Sequence, residues 1–396
     1  MLSRIARGIS SSPTLAISAK AKQMKSEGVD IIGFGAGEPD FGTPQHIKDA
    51  AIQAINEEFT KYTPVPGIPE LKEAICTKLK NDNGLHYGPD QIVISNGAKH
   101  SLANAFAVLL DPGDEVIVPA PYWVTYPELV KLCHGKPVII DTTAEDGFKL
   151  TVAHLEKAVT AKTKALILNS PSNPTGRIYL EEELKAIADF AVEKGIFVIS
   201  DEIYEKLVYG KNKHLSIASF NDQIKALTIV INGVSKSYAM TGWRIGYSAS
   251  AAELSKAMGN IQSHQTSNAN SIAQKAAHAA LSGSQDCVQE MCRAFDNRRR
   301  FMVERIRKIP LLEAIEPEGA FYLFVSVEGL INRSYAGKVI TGGDDFAEYL
   351  LEHFAVAVVS GSAFGAPNYI RLSYATSMEN IERGLERIEK FVCSCT

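Results

Sequence analysis

A lysine follows an apolar run in the segment NGVSKSYAMTGWRIGY, which spans residues 232–247. The run ALTIVI, residues 226–231, predicts a buried strand, and Lys236 comes soon after it among small residues. A charged side chain in that position must be paired, solvated or used in chemistry. Lys236 is therefore a surface lysine, a phosphate contact or a Schiff-base amine, because desolvation and neighbouring cations lower the pKa of a lysine and make it nucleophilic.

Two further segments place polar side chains directly after apolar runs. FVISDEIYEKLVY puts Asp201 at a strand end, where a carboxylate needs a cationic partner or caps a helix, and Tyr204 follows within one helical turn. NSPSNPTG, residues 169–176, carries Asn173 in a loop that is either a plain turn or a ligand contact. Ligands of parallel sheets bind at the carboxyl ends of the strands, so the ligand is predicted to bind where Asn169, Asp201 and Ser235 lie.

Three segments predict anion binding. SNGAKHSL joins a strand to a helix through Gly97 and Ala98, and the free N–H groups of a helix N-terminus bind phosphate. Arg244 lies near two glycines in TGWRIG, where a guanidinium suits a phosphate or carboxylate. Arg371, in the apolar segment YIRLSY, either forms a buried ion pair or binds a substrate carboxylate. The glycines of GFGAGEPD lack dinucleotide-fingerprint spacing, which argues against a nicotinamide cofactor.

The elements that must position these residues alternate between strand and helix patterns from about residue 90 to 250. This alternation predicts an α/β fold, a large domain whose mainly parallel sheet is sandwiched by helices. A mixed pattern of helices and strands follows and predicts a smaller α+β domain, in which AVAVVSG is one strand. We predict an N-terminal segment of the small domain at 1–45, the large domain at 46–290 and the small C-terminal domain at 291–396.

The composition narrows the class of protein. The chain has 396 residues, 45% apolar and 22% charged, with a net charge of −4, which predicts a globular protein that binds neither nucleic acid nor an anionic membrane. No apolar run approaches the ~20 residues that cross a membrane. The six cysteines lack C-x-x-C or zinc-site spacing, so we predict reduced thiols, no metal and a cytoplasmic location. The arginines and serines of the N-terminus leave an organellar transit peptide as an alternative.

Seven segments, in chain order, resemble the fold-type I, class I pyridoxal-phosphate aminotransferases. They are GAGEPDF, KYTPVPGIPELKEAI, PAPYWVTYPE, NSPSNPTG, SDEIYEKLVY, SKSYAMTGWRIGY and IRLSYATS. The resemblance covers almost the whole chain and is closest to bacterial aspartate aminotransferases of the I-beta subgroup. It implies the aminotransferase type I fold, the cofactor pyridoxal 5′-phosphate, and a ping-pong transfer of an amino group between aspartate or glutamate and oxaloacetate or 2-oxoglutarate.

The resemblance implies catalytic roles for three side chains. Lys236 would form the Schiff base with the cofactor and carry the proton between the substrate Cα and the cofactor. Asp201 would keep the pyridine nitrogen protonated. Tyr204 and Asn173 would hydrogen-bond the phenolic oxygen and keep the pKa of the Schiff base low, and Trp123 would stack on the ring.

Phosphate and carboxylate contacts are implied by the same resemblance. The further cofactor-binding residues would be Gly97, Ala98, Lys99, Ser235 and Arg244, with Tyr62 reaching the phosphate from the other subunit of a homodimer. The substrate would contact Gly37, Thr14, Lys99, Trp123, Asn173 and Arg371. Many relatives have a phosphate-binding serine where this chain has Gly233, so phosphate binding should depend more on Arg244 and the helix N-terminus.

Several alternatives stay open. Lys99 and Thr14 are associated with the distal carboxylate of an acidic substrate, but the pair also occurs in relatives that transaminate prephenate, and Lys99 could simply face solvent. Another pyridoxal-phosphate reaction, such as C–S lyase or cyclisation chemistry, would use the same ring-binding residues. A cofactor-binding regulator would need a DNA-binding segment, and the sequence shows no basic helix of that kind.

Overall fold

The structure is a computed structural model that describes residues 2–11 and 13–396. The strands in this part of the chain are β1 Ile32–Gly33, β2 Ile92–Asn96, β3 Glu115–Ala120, β4 Lys136–Asp141, β5 Thr163–Asn169, β6 Phe197–Asp201, β7 Thr228–Gly233, β8 Ile245–Ala249, β9 Glu313–Ala314, β10 Tyr322–Ser326, β11 Ser334–Tyr335, β12 Lys338–Val339, β13 Val356–Ala357, β14 Val359–Ser360 and β15 Tyr369–Ser373. The α-helices are α1 Arg4–Gly8, α2 Pro13–Ser26, α3 Gln45–Asn56, α4 Pro69–Asn83, α5 Ala98–Leu109, α6 Thr125–Leu132, α7 Val152–Ala158, α8 Glu181–Lys194, α9 Asp222–Leu227, α10 Ala252–Gln265, α11 Ser271–Ser282, α12 Asp286–Ile306, α13 Gly343–Phe354 and α14 Met378–Ser394.

A seven-stranded sheet has the order β2-β8-β7-β6-β5-β3-β4. Strand β8 runs antiparallel to both of its neighbours, and the other pairs are parallel. The predicted large domain with a mainly parallel sheet is thus confirmed. Since β5, β6 and β7 are parallel neighbours, their carboxyl ends lie side by side and bring the loops after them to one edge.

Both faces of this sheet are apolar, which explains why its strands are continuous hydrophobic runs. Successive residues of β5 point to opposite faces, so Ala165 and Ile167 pack in one cluster while Leu166 and Leu168 pack in another. Helix α5 supplies Leu102, Ala105, Phe106 and Leu109 to the first cluster, and α8 supplies Leu184, Ile187, Ala188 and Ala191 to the second. Covering both faces with helices is the arrangement that parallel sheets require.

A second, antiparallel sheet has the order β14-β15-β10-β9 and forms a smaller α+β unit with α12, α13 and α14. The prediction that AVAVVSG is a single strand is wrong, because the segment divides into β13 and β14. Strand β13 pairs in parallel with β1, while β14 pairs with β15 in the four-stranded sheet. The partners β1 and β15 belong to different sheets, so the segment is divided between its pairing with β1 and its pairing with β15.

The N-terminal part of the chain is attached to this smaller unit. In the β1–β13 pair Ile32 lies opposite Val356, and the amide of Phe34 donates to the carbonyl of Ala357 at 2.8 Å. The ring of Phe34 fits against Gly384 of α14, where a Cβ atom would overlap that ring. Within the described residues, no helix combines the length and apolar character needed to cross a membrane.

Candidate active site

A cleft of about 580 Å³ lies between the carboxyl edge of the seven-stranded sheet and the smaller unit. The predicted site residues that line it are Thr14, Gly37, Ala98, Lys99, Trp123, Asn173, Asp201, Tyr204, Ser235, Lys236, Arg244 and Arg371. Gly97 lies directly behind the lining, in contact with Arg244. The structure therefore brings together residues that are separated by more than three hundred positions in the sequence.

The amine of Lys236 points into this cleft, which removes the surface-lysine alternative. It donates a hydrogen bond to the carbonyl oxygen of Gly37 at 2.5 Å and lies 5.9 Å from the ring centroid of Tyr204. Burial lowers the pKa of Lys236 to about 8, with Glu38 opposing this shift and Arg244 among the cations that add to it. About a tenth of the amine is thus neutral and nucleophilic at pH 7, far more than for an ordinary lysine.

The carboxylate of Asp201 is buried at the end of β6, with only 3% of the residue exposed. One oxygen accepts a hydrogen bond from the Tyr126 hydroxyl at 2.7 Å, and the other accepts from the Ile203 amide at 3.2 Å. Burial raises the pKa of Asp201 to about 6, although both hydrogen bonds favour the ionised form. Turns follow β6, so Asp201 does not cap a helix.

The junction between β2 and α5 forms a tight cradle with a positive charge beside it. Gly97 has φ of +82°, and a Cβ atom there would overlap the guanidinium of Arg244. That guanidinium donates to the carbonyl of Thr241 at 2.9 Å and to that of Asn96 at 3.3 Å. The first amides of a helix lack intrahelical partners, and here Ala98 faces the cleft, so the cradle suits an anion.

Close packing of the backbone accounts for the glycine at position 233. A Cβ atom on Gly233 would lie 2.9 Å from the Cα of Gly246 and 2.9 Å from the carbonyl oxygen of Ile245. The backbones of β7 and β8 therefore pass too closely at this point for a side chain. Ser235, two residues further on, lines the cleft instead.

Arg371 is a buried cation with an unused donor. It is 2% exposed, and it donates to the side-chain oxygen of Asn173 at 2.9 Å and to the carbonyl of Gly35 at 3.0 Å. Its guanidinium lies 4.3 Å from the ring centroid of Tyr322 and 5.0 Å from that of Phe364. Among the described residues no carboxylate pairs with Arg371 and its Nε has no hydrogen-bond partner. The predicted buried ion pair is absent from that set, and the open donor suits a carboxylate ligand.

Of the remaining predicted residues, Lys99 lies in the cleft and Tyr62 does not. The amine of Lys99 lies 4.9 Å from the ring centroid of Trp123 in the cleft, and burial together with the charge of Arg244 lowers its pKa. Tyr62 is 91% exposed and does not line the cleft of its own chain. Its predicted contribution to a neighbouring subunit stays a prediction.

Two tyrosines of the cleft were not foreseen from the sequence. Tyr126 follows Trp123 by three positions where α6 begins, and its amide donates to the carbonyl of Trp123 at 3.0 Å. Tyr322 is a hydroxyl-bearing residue within the apolar segment AFYLFV, as unusual there as Arg371 is in its own strand. Its place beside Arg371 depends on the pairing of β10 with β15, which local sequence does not specify.

A cluster of charged groups lies behind the cleft. Atoms of Glu202, Glu205 and His214 that could bind a metal ion lie within 4.8 Å of one another. The ammonium group of Lys78 forms an ion pair with Glu205, and despite burial this charge and that of His214 bring the pKa of Glu205 down to about 2. The hydroxyl of Ser216 donates to Glu202 at 2.6 Å. Protein groups therefore already satisfy these carboxylates.

The raised pKa of Asp201 predicts a pH-dependent loss of stability in the protein freed of small molecules. Because the folded-state pKa of about 6 exceeds the ordinary value of 3.8, protonation stabilises the fold below about pH 4, and this contribution disappears as the pH rises through 6. Above that pH the buried charge costs about 3 kcal/mol. Asp201→Asn should therefore gain up to about 3 kcal/mol of unfolding free energy relative to wild type between about pH 4 and pH 8.

Urea unfolding at the two pH values would measure this difference. Asp49→Asn, on the exposed side of α3, controls for the removal of a surface carboxylate. A difference between Asp201→Asn and wild type that does not change with pH would show that burial of Asp201 does not disfavour its charge.

The sequence and the structure were each compared with known proteins. The sequence model of the aminotransferase class I and II family matches residues 29–388. The chain is 51% identical over 392 residues to an aspartate aminotransferase of Bacillus sp. (strain YM-2), covering 99% of both chains. It is 52% identical over 382 residues to a probable aspartate/prephenate aminotransferase of Aquifex aeolicus, covering 96% of this chain and 95% of the other.

Solved structures agree with the sequence comparison. The fold matches an aspartate aminotransferase from Rhizobium meliloti with a TM-score of 0.97 and 43% identity, covering 100% of both chains. It matches an aspartate aminotransferase from Thermus thermophilus with maleate with a TM-score of 0.93 and 41% identity, covering 99% of both chains. The chain therefore belongs to the aminotransferase class I and II family, and pyridoxal 5′-phosphate is its cofactor.

Proposed function

We propose that this aminotransferase moves the amino group of aspartate or glutamate to a 2-oxo acid, oxaloacetate or 2-oxoglutarate, by a ping-pong reaction. One observation carries the proposal: a single cleft holds the Lys236 amine between an anion cradle and a buried arginine with an open donor. The Bacillus, Rhizobium and Thermus relatives are aspartate aminotransferases, which supports this substrate class. The same ring-binding groups would serve a lyase, but no relative named above carries such a name.

The residues of the cleft fit the cofactor. Its phosphate would bind at the start of α5, between the free amides and Arg244, where Gly97 leaves the room. Asp201, a buried carboxylate that forms no ion pair among the described residues, would hold the protonated ring nitrogen. Tyr204 and Asn173 would bind the ring oxygen. When bound, the cofactor accepts an amine at its aldehyde and withdraws electrons from the carbon attached to that amine.

Lys236 would move the proton in this reaction. With a pKa of about 8 its amine is partly neutral, and a neutral amine can take a proton from the Cα of a bound amino acid and return it elsewhere. Arg371 would bind the α-carboxylate through its open Nε, which holds Cα next to the lysine. The carbonyl of Gly37 orients the amine and lies beside the carboxylate site.

Borohydride reduction of the holoenzyme tests this assignment. We expect a stable cofactor label on the peptide that contains Lys236, and a change in cofactor absorbance when aspartate alone is added. Lys236→Ala should lose the label, whereas Lys99→Ala should keep it. A label on another peptide, or none, would refute the proposed mechanism.

The substrate's distal carboxylate is assigned to Lys99. The amine of this lysine lies over Trp123 in the cleft although the residue is exposed, and Thr14 lines the same cleft from α2. Burial lowers the pKa of Lys99, so a bound carboxylate would restore favourable surroundings for its charge. Prephenate also carries a second carboxylate, and the name of the Aquifex relative makes it the second candidate substrate.

Lys99→Ala should lower kcat/KM for aspartate by about 10- to 100-fold, the worth of one charged hydrogen bond. An uncharged amino acid such as leucine should lose less than about threefold, because it makes no distal ion pair. Lys22→Ala, which removes an exposed lysine at the rim of the same cleft, controls for general loss of positive charge. Equal losses for both amino acids would exclude Lys99 from substrate selection, and prephenate should follow aspartate.

We infer a homodimer in which Tyr62 reaches the cofactor phosphate of the partner. Tyr62 is 91% exposed, and Ile52 and Ile55 of the nearby α3 are 54% and 53% exposed, as expected of a surface that binds protein. An open hollow beside Arg244, lined in part by Phe41, would admit a side chain from outside. These exposures support the inference made from the sequence resemblance.

Mixed dimers test the origin of Tyr62. Chains carrying Tyr62→Ala are combined with chains carrying Lys236→Ala, at limiting cofactor. If Tyr62 acts across the interface, one site of each mixed dimer is intact, so purified mixed dimers should have roughly half of the wild-type activity and an equal random mixture roughly a quarter. If it acts within its own chain, every site carries one defect and mixing restores nothing.

Two further sequence predictions, the domain limits and the cellular location, are proposals that rest on fewer observations. We propose that segment 1–45 belongs to the small domain, because β1 pairs with β13 and α2 packs on β13 and β14. The proposed limit between 46–290 and 291–396 falls within α12. A cytoplasmic location is proposed because all six cysteines are free thiols, which reducing compartments maintain.

A further inference from the structure

We propose that Tyr322 is a positioning residue with two contacts in the active site. Its hydroxyl orients Tyr204, and its ring holds the guanidinium of Arg371. This inference rests on the proposed function, in which Tyr204 binds the ring oxygen of the cofactor and Arg371 binds the substrate carboxylate. It deepens that function by naming one side chain that contacts both groups.

The hydroxyl group of Tyr322 contacts Tyr204 directly. Tyr322 is 1% exposed at the start of β10, and its oxygen lies 2.8 Å from the oxygen of Tyr204. Their rings meet edge to face with centroids 5.8 Å apart, which fixes both orientations. Within the part of the chain that the structure describes, Tyr204 is the only hydrogen-bond partner of the Tyr322 hydroxyl.

The direction of this hydrogen bond follows from the number of hydrogens. Each tyrosine hydroxyl has one hydrogen to donate, and either oxygen can be the donor in the isolated pair. Once Tyr204 donates its hydrogen to the cofactor ring oxygen, Tyr322 must donate to Tyr204 if the contact is to remain. Donation into the Tyr204 oxygen polarises that group and strengthens its own donation, as in other hydrogen-bond chains.

The ring of Tyr322 supports the substrate arginine. The guanidinium carbon of Arg371 lies 4.3 Å from the Tyr322 ring centroid, close enough for a cation–π contact in a dry site. Strand pairing fixes this arrangement, because Tyr322 lies opposite Ser373 and Phe324 lies opposite Arg371, which makes Tyr322 and Arg371 diagonal neighbours. Phe364 contacts the same guanidinium at 5.0 Å but has no hydroxyl.

These two contacts are chemically separable, which gives a sharp test in the holoenzyme. Tyr322→Phe removes the hydroxyl and keeps the ring, whereas Tyr322→Leu removes both. Phe364→Leu serves as the matched control, because it removes a ring from Arg371 without removing a hydroxyl. Two quantities are measured for each variant: the pH midpoint of the absorbance change of the bound cofactor, and KM and kcat for aspartate.

Tyr322→Phe should raise the absorbance midpoint by about half a pH unit to one pH unit, the worth of one hydrogen bond, because a weaker Tyr204 donor stabilises the deprotonated chromophore less. Its KM for aspartate should stay within about twofold of wild type, since the ring contact remains. Tyr322→Leu should show the same spectral shift and a KM raised about 5- to 30-fold. Phe364→Leu should raise KM without moving the midpoint.

An unchanged midpoint in Tyr322→Phe would overturn the hydroxyl role, and an unchanged KM in Tyr322→Leu would overturn the ring role. If Tyr322→Leu does not fold, Tyr322→Met, which also lacks the ring but has a flexible side chain that adapts to the space, decides the ring role in its place. Failure of the proposed function would show separately, as a wild-type enzyme without a Lys236 label or without turnover of aspartate.

Discussion

The buried carboxylate of Asp201 is the constraint around which the site is arranged. A carboxylate charge enclosed by apolar residues at the end of a parallel strand is unfavourable without a partner. This burial raises the pKa of Asp201 to about 6. Within the described residues Asp201 forms no ion pair; the Tyr126 hydroxyl and the Ile203 amide donate to it, and the charge of Lys236 also favours its ionised form. The proposed cationic partner is the ring nitrogen of the cofactor, and Lys236, Arg244 and Arg371 line the same cleft.

The hydrogen bond between Asn173 and Arg371 joins the larger and the smaller unit of the molecule. Asn173 lies in the loop after β5 of the large sheet, and Arg371 lies on β15 of the smaller one. The carbonyl of Gly35, from the chain between β1 and α3, holds the other guanidinium nitrogen. The part of the cleft around Arg371, to which substrate binding is assigned, is therefore built by three separate parts of the chain, and its geometry depends on the position of the smaller unit.

Most of the fold and the site could be read from the sequence because local signals coincide there. Apolar runs ending in Asn169, Asp201 and Gly233 specified adjacent parallel strands, whose carboxyl ends must converge. Residues whose positions depend on the pairing of strands far apart in the sequence were not predicted. Tyr322 reaches Arg371 only through the register of two strands far apart in sequence, and the division of AVAVVSG into β13 and β14 is imposed by partners in different sheets.

The order of the strands along the chain also sets an order of synthesis. Every strand of the seven-stranded sheet, together with Lys236 and the phosphate cradle, precedes β10 and β15 in the sequence. A growing polypeptide therefore contains all the groups assigned to the cofactor before the ribosome has added the arginine assigned to the substrate. The groups to which cofactor binding is assigned are thus present in the nascent chain before any strand of the four-stranded sheet has been synthesised.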